Sequence, residues 1–198
     1  MALAFSRNLL IALLTTVSVS ACGTASKTLD TFDLTTPSPT VNTARKGHVQ
    51  LLIAEPTALK PLDGENIVVR PAPVSISYLK GAQWGDRLPK IVQSRLSQAF
   101  QNTGHLGGVG LPGDGLAIDY QVVSELRAFG IEARGGETAV VEIAVRILND
   151  RNGTVRATKL FLATRPVSGG GNSAYAKALD AAFDEVANDI VIWTLSRI

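Results

Sequence analysis

Cysteine is nearly absent: the 198-residue chain has one, Cys22. A lone thiol forms no intramolecular disulfide, so the fold must rest on an apolar core. Histidine is almost as scarce. His48 and His105 are the two imidazoles, which excludes H-x-x-x-H metal spacing and leaves no Ser–His or Cys–His arrangement in sequence. Both read as surface residues. There is no G-x-S-x-G elbow and no P-loop. Excess charge of either sign is missing as well. The 19 Lys and Arg face 17 Asp and Glu, without the basic clustering of a nucleic-acid footprint. No nucleic-acid partner is expected. Beyond residue 22 no apolar run approaches the ~20 residues that span a bilayer as a helix.

One phosphate-binding pattern matches by letters, Gly108-Val109-Gly110-Leu111-Pro112-Gly113. A dinucleotide fingerprint follows a strand and opens a helix. Here the stretch follows a helical pattern and precedes a strand, and Pro112 blocks a helix. Gly104 to Gly115 therefore reads as a floppy connection. Asp180, Asp184, Glu185 and Asp189 read as the wet face of a helix. The expectation is a protein with no catalytic set, no cofactor and no metal, acting by binding or assembly.

The amino end is more informative. Arg7 precedes an apolar run, Leu9 to Leu14, that fades after Val17. That is the length of a secretory h-region, not of a span. Val19-Ser20-Ala21-Cys22 resembles the lipobox of bacterial lipoproteins, in which the thiol receives a diacylglyceryl group and the chain is cut before the cysteine. Residues 1–21 are then a signal peptide and Cys22 is the lipid attachment site. Ordinary cleavage after Ala21 would leave a free thiol in an oxidising compartment. Gly23, in place of Asp, points by the sorting rule of such proteins to the outer membrane, with the domain facing the periplasm. Acyl chains contribute ~0.8 kcal/mol per buried CH₂, so the membrane is an expected partner through the anchor.

Residues 22–47 then form the lipidated cysteine and a flexible tether, with Thr35-Thr36-Pro37-Ser38-Pro39-Thr40 as its extended part and Thr31–Leu34 as an edge-strand candidate. Residues 48–198 form the domain. His48–Ala54, Ile67–Arg70, Val74–Tyr78, Leu116–Val122, Val141–Ile147 and Lys159–Thr164 carry strand patterns; Val74–Tyr78 alternates apolar with Ser as a half-buried strand should. Asp86 suits an N-cap, and Leu88, Val92, Leu96, Ala99 and Phe100 recur at helical spacing up to Gly104. Asn149–Gly153 is a hairpin turn. After Gly169–Gly171, Asn172 or Ser173 caps a last helix lined by Ala176, Leu179, Phe183, Val186, Ala187, Ile190 and Thr194. Strand runs with two helices predict an α+β fold: an antiparallel sheet with both helices on one face.

Several pieces stand in one order: Thr31-Phe32-Asp33-Leu34; Leu62-Asp63; Ile67-Val68-Val69-Arg70; Gln83-Trp84-Gly85-Asp86-Arg87-Leu88-Pro89 through Gln93; Tyr120 to Phe129; and a terminal helix carrying Trp193. Together they resemble the ABC-type transport auxiliary lipoprotein family, whose members accompany MCE-domain lipid transporters of the paraquat-inducible type. The resemblance implies an α+β fold, no enzymatic activity, no cofactor, and an outer-membrane lipoprotein that docks a periplasmic MCE protein. Homo-oligomerisation is compatible with it. An envelope assembly or regulatory lipoprotein, for example of cell-wall synthesis, is the competing reading. Trp84, Leu88 and Trp193 are the candidate partner contacts. For Trp84 and Leu88 the competing assignment is the core, because a Trp at an element boundary usually packs.

Overall fold

The computed structural model describes residues 28–198; Cys22 and the expected signal peptide lie outside them. The elements in chain order are β1 (Asp30–Phe32), β2 (Lys46–Ile53), β3 (Thr57–Ala58), β4 (Asn66–Ala72), β5 (Ser75–Trp84), α1 (Leu88–Thr103), β6 (Leu106–Gly110), β7 (Tyr120–Glu132), β8 (Thr138–Asn149), β9 (Val155–Pro166) and α2 (Asn172–Arg197).

Strand β7 organises the sheet. One edge pairs antiparallel with β8 along its whole length, and β8 pairs antiparallel with β9. The other edge is shared by three parallel partners in succession. Leu51–Ile53 of β2 lie against Tyr120–Val122, β3 against Glu125–Leu126, and Val68–Arg70 of β4 against Gly130–Glu132. Beyond β2 lies β6, parallel; beyond β4 lies β5, antiparallel, and then β1 as an edge. The α+β class is as expected. The sheet is mixed where an antiparallel one is expected, because two-residue alternation is the same in both ladder types and says nothing of direction.

Both helices share one core with the sheet. Leu88, Val92, Leu96, Ala99 and Phe100 of α1 are buried, as their spacing requires. α2 buries Leu179, Phe183, Val186, Ile190, Val191 and five alanines, and the alanines let the helix lie close to β8 and β9. Trp84 meets Phe129 edge-on at 5.8 Å, and Phe129 meets Phe183 at 6.0 Å. That chain of rings joins β5, β7 and α2.

Several local expectations are corrected. The N-cap of α1 is Arg87, with no side-chain cap bond, and Asp86 Oδ1 accepts instead from the Arg87 amide. Gly104, in the left-handed region, ends the helix as expected. The N-cap of α2 is Gly171; the Asn172 amide Nδ2 instead donates to Asp30 Oδ2 and to the Lys80 carbonyl. The stretch read as a floppy connection contains β6, whose glycines let it lie tightly beside β2. Leu116 is exposed, and the strand expected from there begins at Tyr120. The tether is not free in its second half. Leu34 is 2% exposed, Thr35 binds Asp180 on α2, and the Thr36 hydroxyl bonds Gln98 on α1. Finally, Val74–Tyr78 is not half-buried: Val74 is 97% exposed, and Ile76 and Tyr78 are exposed with it. Alternation there reflects the pleat of a hairpin end that no helix covers.

The topology sorts the molecule into two ends. β4 and β7 run parallel to one end, which gathers the β4–β5 turn, residues 133–137 between β7 and β8, and the start of α2. At the other end lie the start of β2, the β8–β9 turn and the end of α2, where Arg156 Nε donates to the Arg197 carbonyl.

Candidate functional site

Several polar groups of the described residues are engaged in holding the fold. His105 is fixed between two backbone carbonyls, Thr103 at 2.8 Å and Thr43 at 3.1 Å. His48 lines a shallow cleft of about 180 Å³ with Asp119, Tyr120, Asn149 and Arg151. Both oxygens of Asp119 are used there: Oδ2 accepts from the Gln50 amide at 3.0 Å and Oδ1 from Arg151 at 2.7 Å. The backbone donor, and then the guanidinium, hold its carboxyl below the ordinary range. Arg87 spans Asp63 and Glu55, and the bond to Asp63 raises its guanidinium pKa further. This clamps the loop after β3 to the start of α1.

Three of the four acids of α2 are partnered, while Asp189 is exposed as expected. Asp180 accepts from the Thr35 amide at 2.8 Å, Glu185 pairs with Arg165, and Asp184 accepts from Asn188 at 3.1 Å. Tyr175 donates to Glu137 at 2.6 Å, and the carboxylate raises the phenol's pKa. Among the described residues, no three His, Cys, Asp or Glu side chains gather to hold a metal ion. No helix among them is long and apolar enough to cross a membrane.

Of the three candidate partner contacts, two are interior. Trp84 and Leu88 are each 1% exposed, so neither offers surface to another molecule. Trp84 is spent on Phe129 and Leu88 on the first turn of α1, which is the core assignment that competed with contact. Trp193 differs. It is half-buried near the end of α2, edge-on to Phe161 at 5.5 Å, and Ile192 beside it is exposed. Lys159 lies over the other side of the same cluster, 4.6 Å from the Phe161 ring centre. Cys22 lies outside the described residues.

The sequence reading overlooked the sheet face turned away from the helices. Register places Val123, Arg146 and Thr158 in one row and Glu125, Ala144 and Leu160 in the next. Leu160 and Leu162 are exposed on it, and it holds a cleft of about 230 Å³ lined by Thr57, Val123, Arg127 and Arg146. The signal was present in Leu160-Phe161-Leu162. Three consecutive apolar residues on a strand put apolar side chains on both faces.

A profile of the ABC-type transport auxiliary lipoprotein component family matches residues 32–191, which is the folded part from β1 into α2. The protein belongs to that family. A Bradyrhizobium diazoefficiens protein, itself uncharacterized, is 32% identical over 169 residues, covering 83% of this chain. The chain spans 44% of that relative's length. The crystal structure of a protein from Xanthomonas campestris superposes with a TM-score of 0.77 at 25% identity, covering 84% of this chain and 95% of that one. A hypothetical protein from Chlamydia trachomatis shares the fold at a TM-score of 0.54 and 9% identity, over 76% and 97% of the two chains. In an auxiliary lipoprotein the surfaces of interest are those free for binding: the Trp193 cluster, the open β7–β8–β9 face and the β4–β5 hairpin end.

Proposed function

We propose that this lipoprotein is the outer-membrane accessory of an ABC/MCE-type lipid transport system. It is anchored through Cys22, faces the periplasm, docks the periplasmic MCE protein and catalyses nothing. The observation that carries this reading is the family match over residues 32–191, because it covers the folded domain and not a local motif.

The geometry supports a docking role. Asn172, at the start of α2, is tied to Asp30, close in sequence to the tether. The helix is 26 residues long, which at 1.5 Å per residue puts its far end ~39 Å away. Trp193 and Ile192 therefore stand at the end remote from Asp30. A half-buried Trp over a rigid cluster is the kind of group that dominates interfaces, and a standard interface covers ~800 Å² per partner.

Co-purification of the tagged full-length chain with the MCE protein encoded beside it tests the proposal. Recovery in mild detergent is expected, and Ile192→Asp should reduce it without unfolding the domain, since Ile192 is 40% exposed. If no MCE protein is recovered and deletion leaves the envelope lipid balance unchanged, the transport reading fails and an assembly or regulatory role replaces it.

A further inference from the structure

Among the described residues, the β4–β5 hairpin end carries the most exposed large apolar side chain. Val74 is 97% exposed, Tyr78 45% and Ile76 42%, with Pro71 and Pro73 exposed beside them. Ile76 and Tyr78 stand two residues apart, on one side of β5. Leu29, next to β1, is 49% exposed. Lys80 and Arg134 are exposed toward the same end. Nothing within the domain uses these apolar groups.

The register of β1 identifies what covers them. β1 runs parallel to β5, with Asp30 opposite Ala82 and Phe32 opposite Trp84. The described chain therefore enters β1 from the side on which β5 leads back to Val74. From Asp30 back to Cys22 is eight residues, and from Ala82 back to Val74 is eight residues. A chain of that length reaches at most ~28 Å, so the level of the hairpin tip is within reach of the lipid-bearing residue. The membrane surface that holds the acyl chains then lies where the tip ends.

The composition of the tip fits that surface. Tyr suits the boundary between headgroups and acyl chains. Val, Ile and Pro add apolar area, and the two prolines withhold amide donors that would otherwise need partners there. Val68 pairs with both Tyr78 and Gly130, so Arg134, four residues past Gly130, stands beside the tip and offers a cation to lipid phosphates.

We propose that the β4–β5 hairpin end inserts Val74, Ile76 and Tyr78 into the headgroup boundary of the phospholipid leaflet that carries the Cys22 anchor. This is a second contact that sets the orientation of the domain. It rests on the lipid-anchored reading above, not on the MCE partner. The lipid chains alone hold the protein on the membrane but leave it free to swivel; two contacts fix which end faces the periplasm, and Trp193 is at that end.

The test uses the full-length lipidated chain in vesicles of phosphatidylethanolamine and phosphatidylglycerol. Val74→Cys is labelled with an environment-sensitive fluorophore; the thioether at Cys22 leaves position 74 as the only reactive thiol. The expected result is a blue-shifted emission, quenched by lipids brominated in their acyl chains. The same label at Leu59→Cys, 80% exposed and midway along β7, should stay water-like. Ile76→Glu added to the labelled chain should abolish the quenching while the protein still floats with the vesicles. Water-like emission at position 74 in floating protein overturns the proposal. So does a label that is shielded only after MCE protein is added, since the tip then belongs to a protein contact. Protein that does not float overturns the Cys22 anchor and this inference together. Failure of the MCE pull-down leaves the vesicle result untouched.

Discussion

An alanine at position 107 would place its methyl carbon 2.3 Å from the Gly47 carbonyl oxygen and 3.3 Å from that of Val49. Carbon atoms pack at ~3.5–4.0 Å, and both obstacles are backbone of β2, so no rotamer change relieves the clash. β6 is an edge strand whose sheet partner is β2. It must move outward, weakening that ladder and the bond from the Lys46 amide to the His105 carbonyl. Overpacking of this kind costs ~1–3 kcal/mol, and each lost hydrogen bond adds ~1 kcal/mol, so Gly107→Ala should destabilise the domain by ~3 kcal/mol. Two neighbours calibrate the argument. At Gly108 the new methyl meets the flexible Gln50 side chain, at 3.5 Å and beyond. Its φ is not in the left-handed region, so Gly108→Ala should be neutral or stabilising by up to ~1 kcal/mol through the unfolded chain. At Gly110 the obstacles are the tip of Leu116, at 2.6 Å, and Asp114 Oδ2, at 3.1 Å; the Leu116 side chain is exposed and can turn away, so the cost should lie between the other two. Urea unfolding of the three variants gives the order, and amide exchange in β6 should rise in Gly107→Ala ahead of the core. The reasoning is refuted if Gly107→Ala unfolds within ~0.5 kcal/mol of the parent, or if Gly108→Ala costs as much.

Trp84→Ala should lower stability by ~3–5 kcal/mol, measured by thermal unfolding, while the protein that remains folded keeps its recovery of the transport partner; a selective loss of partner would return Trp84 to the surface. Cys22→Ala should release the domain from membranes or leave an uncleaved precursor in cell fractionation, and a processed, membrane-bound variant would show that another feature holds it. Asp119→Asn should be less stable than the parent by a constant margin above about pH 5. The folded carboxyl titrates below its ordinary 3.8, so its contribution is complete above that value and is lost as pH falls through the lower folded one. Acid titration of both proteins should therefore converge below 3.8; parallel curves down to low pH would exclude the Asp119 clamp.

Much of the fold was legible because burial leaves a periodic trace. The α1 positions from Leu88 to Phe100 repeat at helical spacing and are buried together. Val141, Ile143, Val145 and Ile147 alternate and all point inward. The Asn149–Gly153 turn is closed by the bond from the Gly153 amide to the Asn149 carbonyl. What stayed hidden is what alternation does not encode. Parallel and antiparallel neighbours share one pleat, so the three partners lined up along one edge of β7 left no mark. β6 escaped because its glycines signal flexibility in sequence, whereas here they permit close approach to β2. The Val74–Tyr78 pattern misled in the opposite sense: alternation implies two different faces, not that either is covered.

The candidate site shows the same division. Trp84 and Trp193 are the same residue type, each near the end of an element, and the sequence offers no way to rank them. The difference is tertiary: Trp84 lies where β5, β7 and α2 converge, while Trp193 packs from the rim of the core against Phe161 of the edge strand β9. Placement also converts an anchor motif into a direction. Cys22 alone predicts attachment to a membrane and says nothing of which way the domain faces. By the parallel register of β1 on β5 the described chain enters from the side of the β4–β5 tip, and the bond from Asn172 to Asp30 starts α2 at that same end. A helix of 26 residues then carries Trp193 to the other end. In the proposed role, with the membrane at one end and a transport partner at the other, the length of α2 fixes the separation between the two contacts. Changes that shorten α2 without unfolding it should therefore impair partner recovery before they impair membrane attachment.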